Sequence, residues 1–105
     1  MLEKFEAFII ATKFYQICKR LKIPRFLHEQ LLRASSSVAL NLAEGSGKRT
    51  PQDERRFYGI AFGSLRECQA ILELEEIKDH EARELANRLG AMLFKLSRNS
   101  LPSDN

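Results

Sequence analysis

Apolar residues recur along the chain at intervals of three and four, and no stretch shows the sustained alternation of a half-buried strand. The pattern predicts four helices at about 3–22, 25–46, 51–77 and 79–98. Pro24 and Pro51 indicate where the second and third helices begin. Proline is tolerated in the first helical turn because the N–H that it lacks would have no hydrogen-bond partner there. The predicted fold is all-α: an antiparallel up-down four-helix bundle forming one domain over residues 1–100, followed by a frayed tail at 101–105.

The first helix carries two apolar stripes on roughly opposite sides. One stripe consists of Phe5, Phe8, Ile9, Thr12 and Tyr15, and the other consists of Ile10, Phe14, Ile17 and Leu21. One bundle core can bury only one of them, so the second stripe either widens the core or contacts another subunit. Phe94 also lies off the apolar stripe of its helix. The predicted oligomer interface is therefore Ile10, Phe14, Ile17, Leu21 and Phe94.

The other helices supply the predicted core, whose central members are Val38, Leu42, Phe57, Ala61, Leu65, Leu89 and Leu93. Thr50 and Asp79 are predicted N-caps of the third and fourth helices. Gly45 and Gly47 are expected to end the second helix, since glycine adopts the left-handed conformation without a Cβ penalty.

Polar residues form a line beside the apolar stripe of the second helix. Four of them are spaced four, four and three apart, and two more lie on the facing side of the third helix: Arg33, Ser37, Asn41 and Glu44, then Ser64 and Glu67. Two carboxylates near Arg33 and Asn41 could form an acid–base or metal site, but the Glu-x-x-His motif of di-metal bundles is absent. The favoured interpretation is a partly buried hydrogen-bond network that fixes the helix register, because buried charges need partners.

These residues carry a resemblance to a known family. The segment from Leu32 to Gly45, with Arg33, Ser37, Asn41 and Glu44, and the segment Phe57–Glu67, with Gly63 and Ser64, resemble the bacterial four-helix-bundle family of proteins encoded in intervening sequences of 23S ribosomal RNA. The resemblance implies an up-down bundle that assembles into a ring, typically a homopentamer. A related bundle protein of diversity-generating retroelements is a basic pentamer that binds a reverse transcriptase and nucleic acid.

Charge and composition narrow the possible partners. The chain has 17 Lys and Arg against 14 Asp and Glu, a net charge of +3 that is compatible with an acidic partner. No apolar run reaches the length of about 18 residues expected of a membrane span, and no secretory signal is evident, so a cytoplasmic protein is expected. Cys18 and Cys68 are isolated on apolar faces and are predicted to be buried thiols, while His28 and His80 are predicted surface residues.

The sequence therefore predicts a non-enzymatic, ring-forming protein that binds nucleic acid or a nucleoprotein and needs no cofactor or metal. Its predicted nucleic-acid-binding residues lie around the central turn: Lys48, Arg49, Arg55 and Arg56. Further basic candidates lie at the other end of the bundle: Lys19, Arg20, Lys22 and Arg25. Expected partners are copies of the chain itself, RNA or DNA, and a nucleic-acid-processing protein, but no membrane. The alternative is a structural or protein-interaction scaffold without a nucleic-acid role. An enzyme has little support, because no nucleophile–base pair, phosphate loop or zinc motif is present.

Overall fold

The computed structural model describes residues 2–98, with side chains from Lys4 onward, and all its regular elements are helical. The four helices are α1 (Leu2–Arg20), α2 (Arg25–Ser46), α3 (Pro51–Leu74) and α4 (His80–Arg98). These bounds confirm the predicted all-α fold with four helices. The predicted third helix was too long at its C-terminus: α3 ends at Leu74, and Glu76 has a φ of 52° in the turn that follows. The tail predicted at 101–105 lies outside the described residues.

The N-caps of α3 and α4 follow from local sequence. The backbone N–H of Asp53 donates to Thr50 Oγ1 at 3.1 Å, and that of Ala82 donates to Asp79 Oδ1 at 2.9 Å. Both predicted caps are therefore confirmed. The predicted end of α2 is confirmed at Ser46 with Gly47 as its C-cap, but the helix continues through Gly45. The predicted left-handed conformation is wrong, because no described glycine has a positive φ.

Each helix packs against two neighbours, and the helices follow each other around the bundle in chain order. Within residues 2–98, no Cα of α1 lies within 8 Å of a Cα of α3, and the same holds for α2 and α4. Adjacent helices run in opposite directions. From α2 to α3, Arg33 meets Glu67 and Ser37 meets Ser64; from α3 to α4, Phe62 meets Phe94 and Gln69 meets Ala86. The bundle measures 45 × 20 × 20 Å. None of its described helices is both long and apolar enough to cross a membrane.

The centre of the bundle is filled by residues from all four helices. Six of the seven predicted core residues are buried: Val38, Leu42, Ala61, Leu65, Leu89 and Leu93. The seventh, Phe57, is only half-buried, whereas the adjacent Tyr58 is fully buried. Consecutive helical residues point about 100° apart, so the rotation of α3 that turns Tyr58 inward leaves Phe57 at the margin.

The apolar stripe of α1 predicted to contact another subunit lies in the core, and the other stripe is largely exposed. Ile10, Phe14 and Ile17 are buried in the core of the same chain, and Leu21 packs partly buried against it. They cannot form the predicted surface for a partner subunit. The exposed residues are instead Phe5, Phe8 and Ile9. Ala7, Ala11 and Cys18 accompany the buried stripe, and these small side chains allow the neighbouring helices to approach it closely.

Candidate nucleic-acid interface

The turn between α2 and α3 brings the predicted basic residues to one end of the bundle. The first turns of α1 reach the same end, where Lys4 and Phe8 line a groove together with Leu42 and Ser46 of α2. Because adjacent helices are antiparallel, the last turns of α4 end there as well. We call this part of the molecule the basic end; it comprises the α2–α3 turn, residues 55–66 of α3 and residues 85–98 of α4.

Two of the predicted basic residues, Lys48 and Arg56, lie over the ring of Phe57. Lys48 Nζ lies 5.0 Å from the centroid of the Phe57 ring, and the guanidinium carbon of Arg56 lies 4.5 Å from it. Lys48 also forms an ion pair with Glu44 at 3.0 Å. Arg49 and Arg56 are exposed, while Arg55 is half-buried. The four residues therefore share one end of the bundle, but Lys48 has part of its charge balanced by a carboxylate.

Of the two acidic residues that follow the turn, Glu54 is bonded within the fold, whereas Asp53 is exposed. Glu54 Oε2 forms an ion pair with Lys4 and accepts a hydrogen bond of 3.3 Å from the Tyr58 hydroxyl. Burial, followed by the nearby Glu54 carboxylate, raises the pKa of Tyr58, so this hydroxyl keeps its proton. Asp53 lies in the first turn of α3, where its charge is favourable to the helix dipole. The carboxylate of Glu54 is thus largely turned away from the surface that Arg49 and Arg56 present.

Charge is segregated along the α3–α4 pair. Residues 55–66 of α3 and 85–98 of α4 include no acidic residue but six basic ones: Arg55, Arg56, Arg66, Arg88, Lys95 and Arg98. At the other end of the same pair, residues 67–84 hold seven acidic residues against two basic ones. The prediction from sequence omitted Arg66, Arg88, Lys95 and Arg98. Their signal was present as two acid-free segments, but only antiparallel pairing brings these segments together.

The predicted polar network between α2 and α3 forms in part. The hydroxyl oxygens of Ser37 and Ser64 are 2.8 Å apart, and Asn41 Nδ2 donates to the Ser37 hydroxyl at 3.0 Å and to the Ser37 carbonyl at 2.9 Å. Arg33 pairs with Glu67 at 3.4 Å, on a more exposed part of the same contact. These bonds link two helices at one defined register, as a structural network would.

Glu44 does not belong to this network. It is exposed and forms an ion pair with Lys48 in the turn after α2, so the prediction that it bonds to α3 is wrong. At 100° per residue Glu44 lies only about 20° from Ser37 around the helix, so rotation does not explain its different partner. Glu44 lies two residues before the end of α2, where Lys48 of the following turn comes within reach of its carboxylate. The two carboxylates proposed as an alternative acid–base pair, Glu44 and Glu67, are therefore engaged with different partners.

The cysteines are buried as predicted, and their geometry keeps them apart. Burial raises the pKa of Cys18 to about 12, although a hydrogen bond with Ser35 lowers it, and burial also raises the pKa of Cys68. They lie on diagonal helices whose Cα atoms are more than 8 Å apart, beyond the roughly 7 Å limit for a disulfide. Among residues 2–98 no three His, Cys, Asp or Glu side chains are grouped to hold a metal ion.

The two histidines differ in their surroundings. His80 is exposed beside Glu84, as predicted for a surface residue. His28 is half-buried, and its Nε2 lies 2.9 Å from the carbonyl oxygen of Cys18, so the surface prediction is wrong for this residue. This contact joins the start of α2 to the end of α1 and has a structural role.

The fold places the chain in the class of small all-α proteins built from four helices. The model of the family described as 23S rRNA-intervening sequence protein matches residues 5–99 of the chain. Because the match covers most of the chain, the protein belongs to this family, and the resemblance drawn from the motif residues is confirmed. No curated protein and no solved structure matches the chain.

Proposed function

We propose that this protein is a non-enzymatic accessory factor that binds nucleic acid, or a nucleoprotein, through the basic end. The observation that supports the proposal is the segregation of charge along α3 and α4, where residues 55–66 and 85–98 include six basic residues and no acidic one. A surface with an excess of positive charge attracts polyanions and speeds their encounter, and clustered Lys and Arg are the electrostatic signature of nucleic-acid binding. Binding would be insensitive to sequence, since phosphate contacts position a protein without reading bases.

The exposed arginines are the expected phosphate contacts. Arg49 and Arg56 project from the α2–α3 turn and the first turns of α3, whereas Lys48 is held by Glu44 and Phe57. A planar guanidinium can donate two parallel hydrogen bonds to one phosphate, which favours arginine at such a site. Arg49 and Arg56 should therefore contribute more than Lys48.

Self-assembly into a closed ring is the second part of the proposal, with the number of subunits implied only by the family resemblance. The corrected candidate for the subunit interface is the exposed face of α1, which carries Phe5, Phe8 and Ile9. A groove of about 420 Å³ adjoins it between α1 and α2. A continuous apolar face of this kind is more typical of a contact surface than of a solvated one.

Repetition of the basic end in a ring would raise the affinity for nucleic acid above that of one weak site. A few phosphate contacts from one subunit give poor affinity at physiological salt. In a ring the basic end is repeated once per subunit, and copies that reach the same strand bind it at a high effective concentration. Assembly and binding therefore support each other in this proposal.

Reversing the charge of the exposed arginines tests the binding function. We expect the double variant Arg49→Glu, Arg56→Glu to lose affinity for RNA and DNA by about tenfold or more, because it removes phosphate contacts and adds repulsion. Fluorescence anisotropy with labelled single strands and duplexes at about 50 mM salt measures this. On duplex DNA, log affinity of the wild type should fall with log salt by about 0.9 per phosphate contact.

The matched control is Lys22→Glu, Arg25→Glu, which changes the net charge equally at the opposite end of the bundle. It should retain most of the affinity. An equal loss in both variants would show attraction by net charge alone and would contradict a site at the basic end. Absence of binding by the wild type at about 50 mM salt would contradict the proposed function itself.

Placing charges on the exposed face of α1 tests the assembly. We expect the wild type to sediment as an oligomer at micromolar concentration, and Phe8→Glu, Ile9→Glu to sediment as a monomer with its helical circular dichroism retained. A control, Leu74→Glu, changes an exposed apolar residue at the far end of α3 and should remain assembled. A wild type that sediments as a monomer would rule out the ring.

The exposed face of α1 also favours one alternative, a protein-interaction scaffold without a nucleic-acid role. Its partner would cover Phe5, Phe8 and Ile9 in place of a second copy. A pull-down from native extract with and without nuclease separates the two functions. Partners that stay bound after nuclease treatment support the scaffold, whereas partners released by nuclease support the accessory factor.

A further inference from the structure

Two aromatic side chains meet on the outer surface of the α3–α4 pair. The ring centroids of Phe62 and Phe94 are 6.0 Å apart, with an angle of 63° between the ring planes. Phe62 packs partly buried against the core, while Phe94 keeps 48% of its surface exposed. The exposed ring is therefore held in place by its neighbour and remains open to solvent.

An arginine one helical turn further along accompanies each ring. The guanidinium carbon of Arg66 lies 5.8 Å from the Phe62 centroid, and that of Arg98 lies 4.2 Å from the Phe94 centroid. Neither arginine forms an ion pair within the part of the chain whose side chains are described. We call Phe62, Arg66, Phe94 and Arg98 the aromatic–arginine patch.

The charge around the patch distinguishes it from an ordinary solvated surface. It lies within residues 55–66 of α3 and 85–98 of α4, and these segments supply no carboxylate near either guanidinium. Elsewhere on the same helix pair an arginine is neutralised: Arg83 pairs with Glu73 at 2.9 Å, and this hydrogen bond lowers the pKa of Glu73. The patch therefore keeps its positive charge, and part of the Phe94 ring stays open to solvent beside it.

We propose that the aromatic–arginine patch binds unpaired bases of a single-stranded nucleic acid. Bases in a duplex are stacked on each other, so their faces are inaccessible, whereas unpaired bases can stack on aromatic rings and on guanidinium planes. A groove that combines such stacking with positive charge along the backbone is the general design of single-strand sites. The patch supplies the stacking surface, and Arg66 and Arg98 also supply donors for the adjoining phosphates.

This inference rests on the proposed function and makes it more specific. The basic turn alone would bind any polyanion, including duplexes, because it contacts phosphates. The patch adds a preference for single strands over duplexes of the same length. A second copy of the chain is the competing occupant, and the oligomeric state of a Phe94 variant tests it.

The chain allows a direct test because it contains no tryptophan. In Phe94→Trp the single indole lies in the patch, and we expect its fluorescence to be quenched by a short mixed-sequence single strand but not by the corresponding duplex. The matched control is Phe26→Trp, an exposed position in the first turn of α2, whose fluorescence should not respond. Equal quenching of the Phe94→Trp protein by single strand and duplex would overturn the inference.

A second variant removes the ring while keeping an apolar side chain. We expect Phe94→Leu to lower affinity for single strands by about tenfold and to change affinity for duplexes by less than about twofold. An unchanged single-strand affinity, with the Arg49→Glu, Arg56→Glu variant still weakened, would overturn the patch and leave the proposed function intact. Loss of oligomer in the Phe94→Leu variant, with binding retained, would assign the patch to a second copy instead. A wild type that binds neither strand form would overturn both proposals.

Discussion

Replacing Leu89 with alanine is expected to lower the free energy of unfolding by about 2–5 kcal/mol. Leu89 lies in the middle of α4 with 0% of its surface exposed, so the deletion removes buried apolar contacts and leaves a cavity in the core. Urea denaturation at a fixed protein concentration measures the difference, and the concentration must be held constant because assembly would add to stability.

The control for this prediction is the same substitution at Leu74, which is 69% exposed. Leu74→Ala should change stability by less than about 0.5 kcal/mol, as surface substitutions usually do. A change at Leu89 as small as that at Leu74 would mean that α4 presents a different face to the core from the one described.

The second large effect is expected at Gly45, although alanine is the better helix former. A Cβ at Gly45 would lie 2.7 Å from Cε1 and 3.0 Å from Cδ1 of Tyr58, and 3.1 Å from Cβ of Phe57. The Tyr58 ring is fully buried and its hydroxyl is bonded to Glu54, so it has little freedom to move away. We expect Gly45→Ala to lower the free energy of unfolding by about 1–3 kcal/mol.

Gly59 provides a control position at which alanine is expected to raise the free energy of unfolding. It also lies within a helix, but a Cβ there would have no neighbour within 4 Å. Gly59→Ala should therefore raise the free energy of unfolding by up to about 1 kcal/mol through helix propensity. Stabilisation by alanine at both positions in urea denaturation would contradict the close contact between α2 and α3.

Gly45 also connects the fold to the candidate interface. The close approach of α2 and α3 at this residue seats Tyr58 in the core, and Tyr58 in turn bonds to Glu54. With Lys4 paired to the same carboxylate, Glu54 is held inside the bundle end. One small residue thus contributes to a surface on which Arg49 and Arg56 are the prominent charges.

The local features of this protein were determined by sequence alone. Helix positions, the caps at Thr50 and Asp79, and most core residues follow from periodicity and from hydrogen bonds between residues three or four apart. The family followed from motif residues, and its model matches residues 5–99. These features depend on interactions within one helix or one turn, which is why a linear pattern can reveal them.

Tertiary structure alone decided which surfaces meet. Periodicity showed two apolar faces on α1, but only the packing of α1 against α2 and α4 placed Phe14 inside and left Phe8 outside. Gly45 looked like a helix stop until the approach of Tyr58 explained it. Phe62 and Phe94, 32 positions apart, form a patch only because α3 and α4 are antiparallel neighbours. Such contacts depend on helix rotation and pairing, which a periodic pattern leaves undetermined.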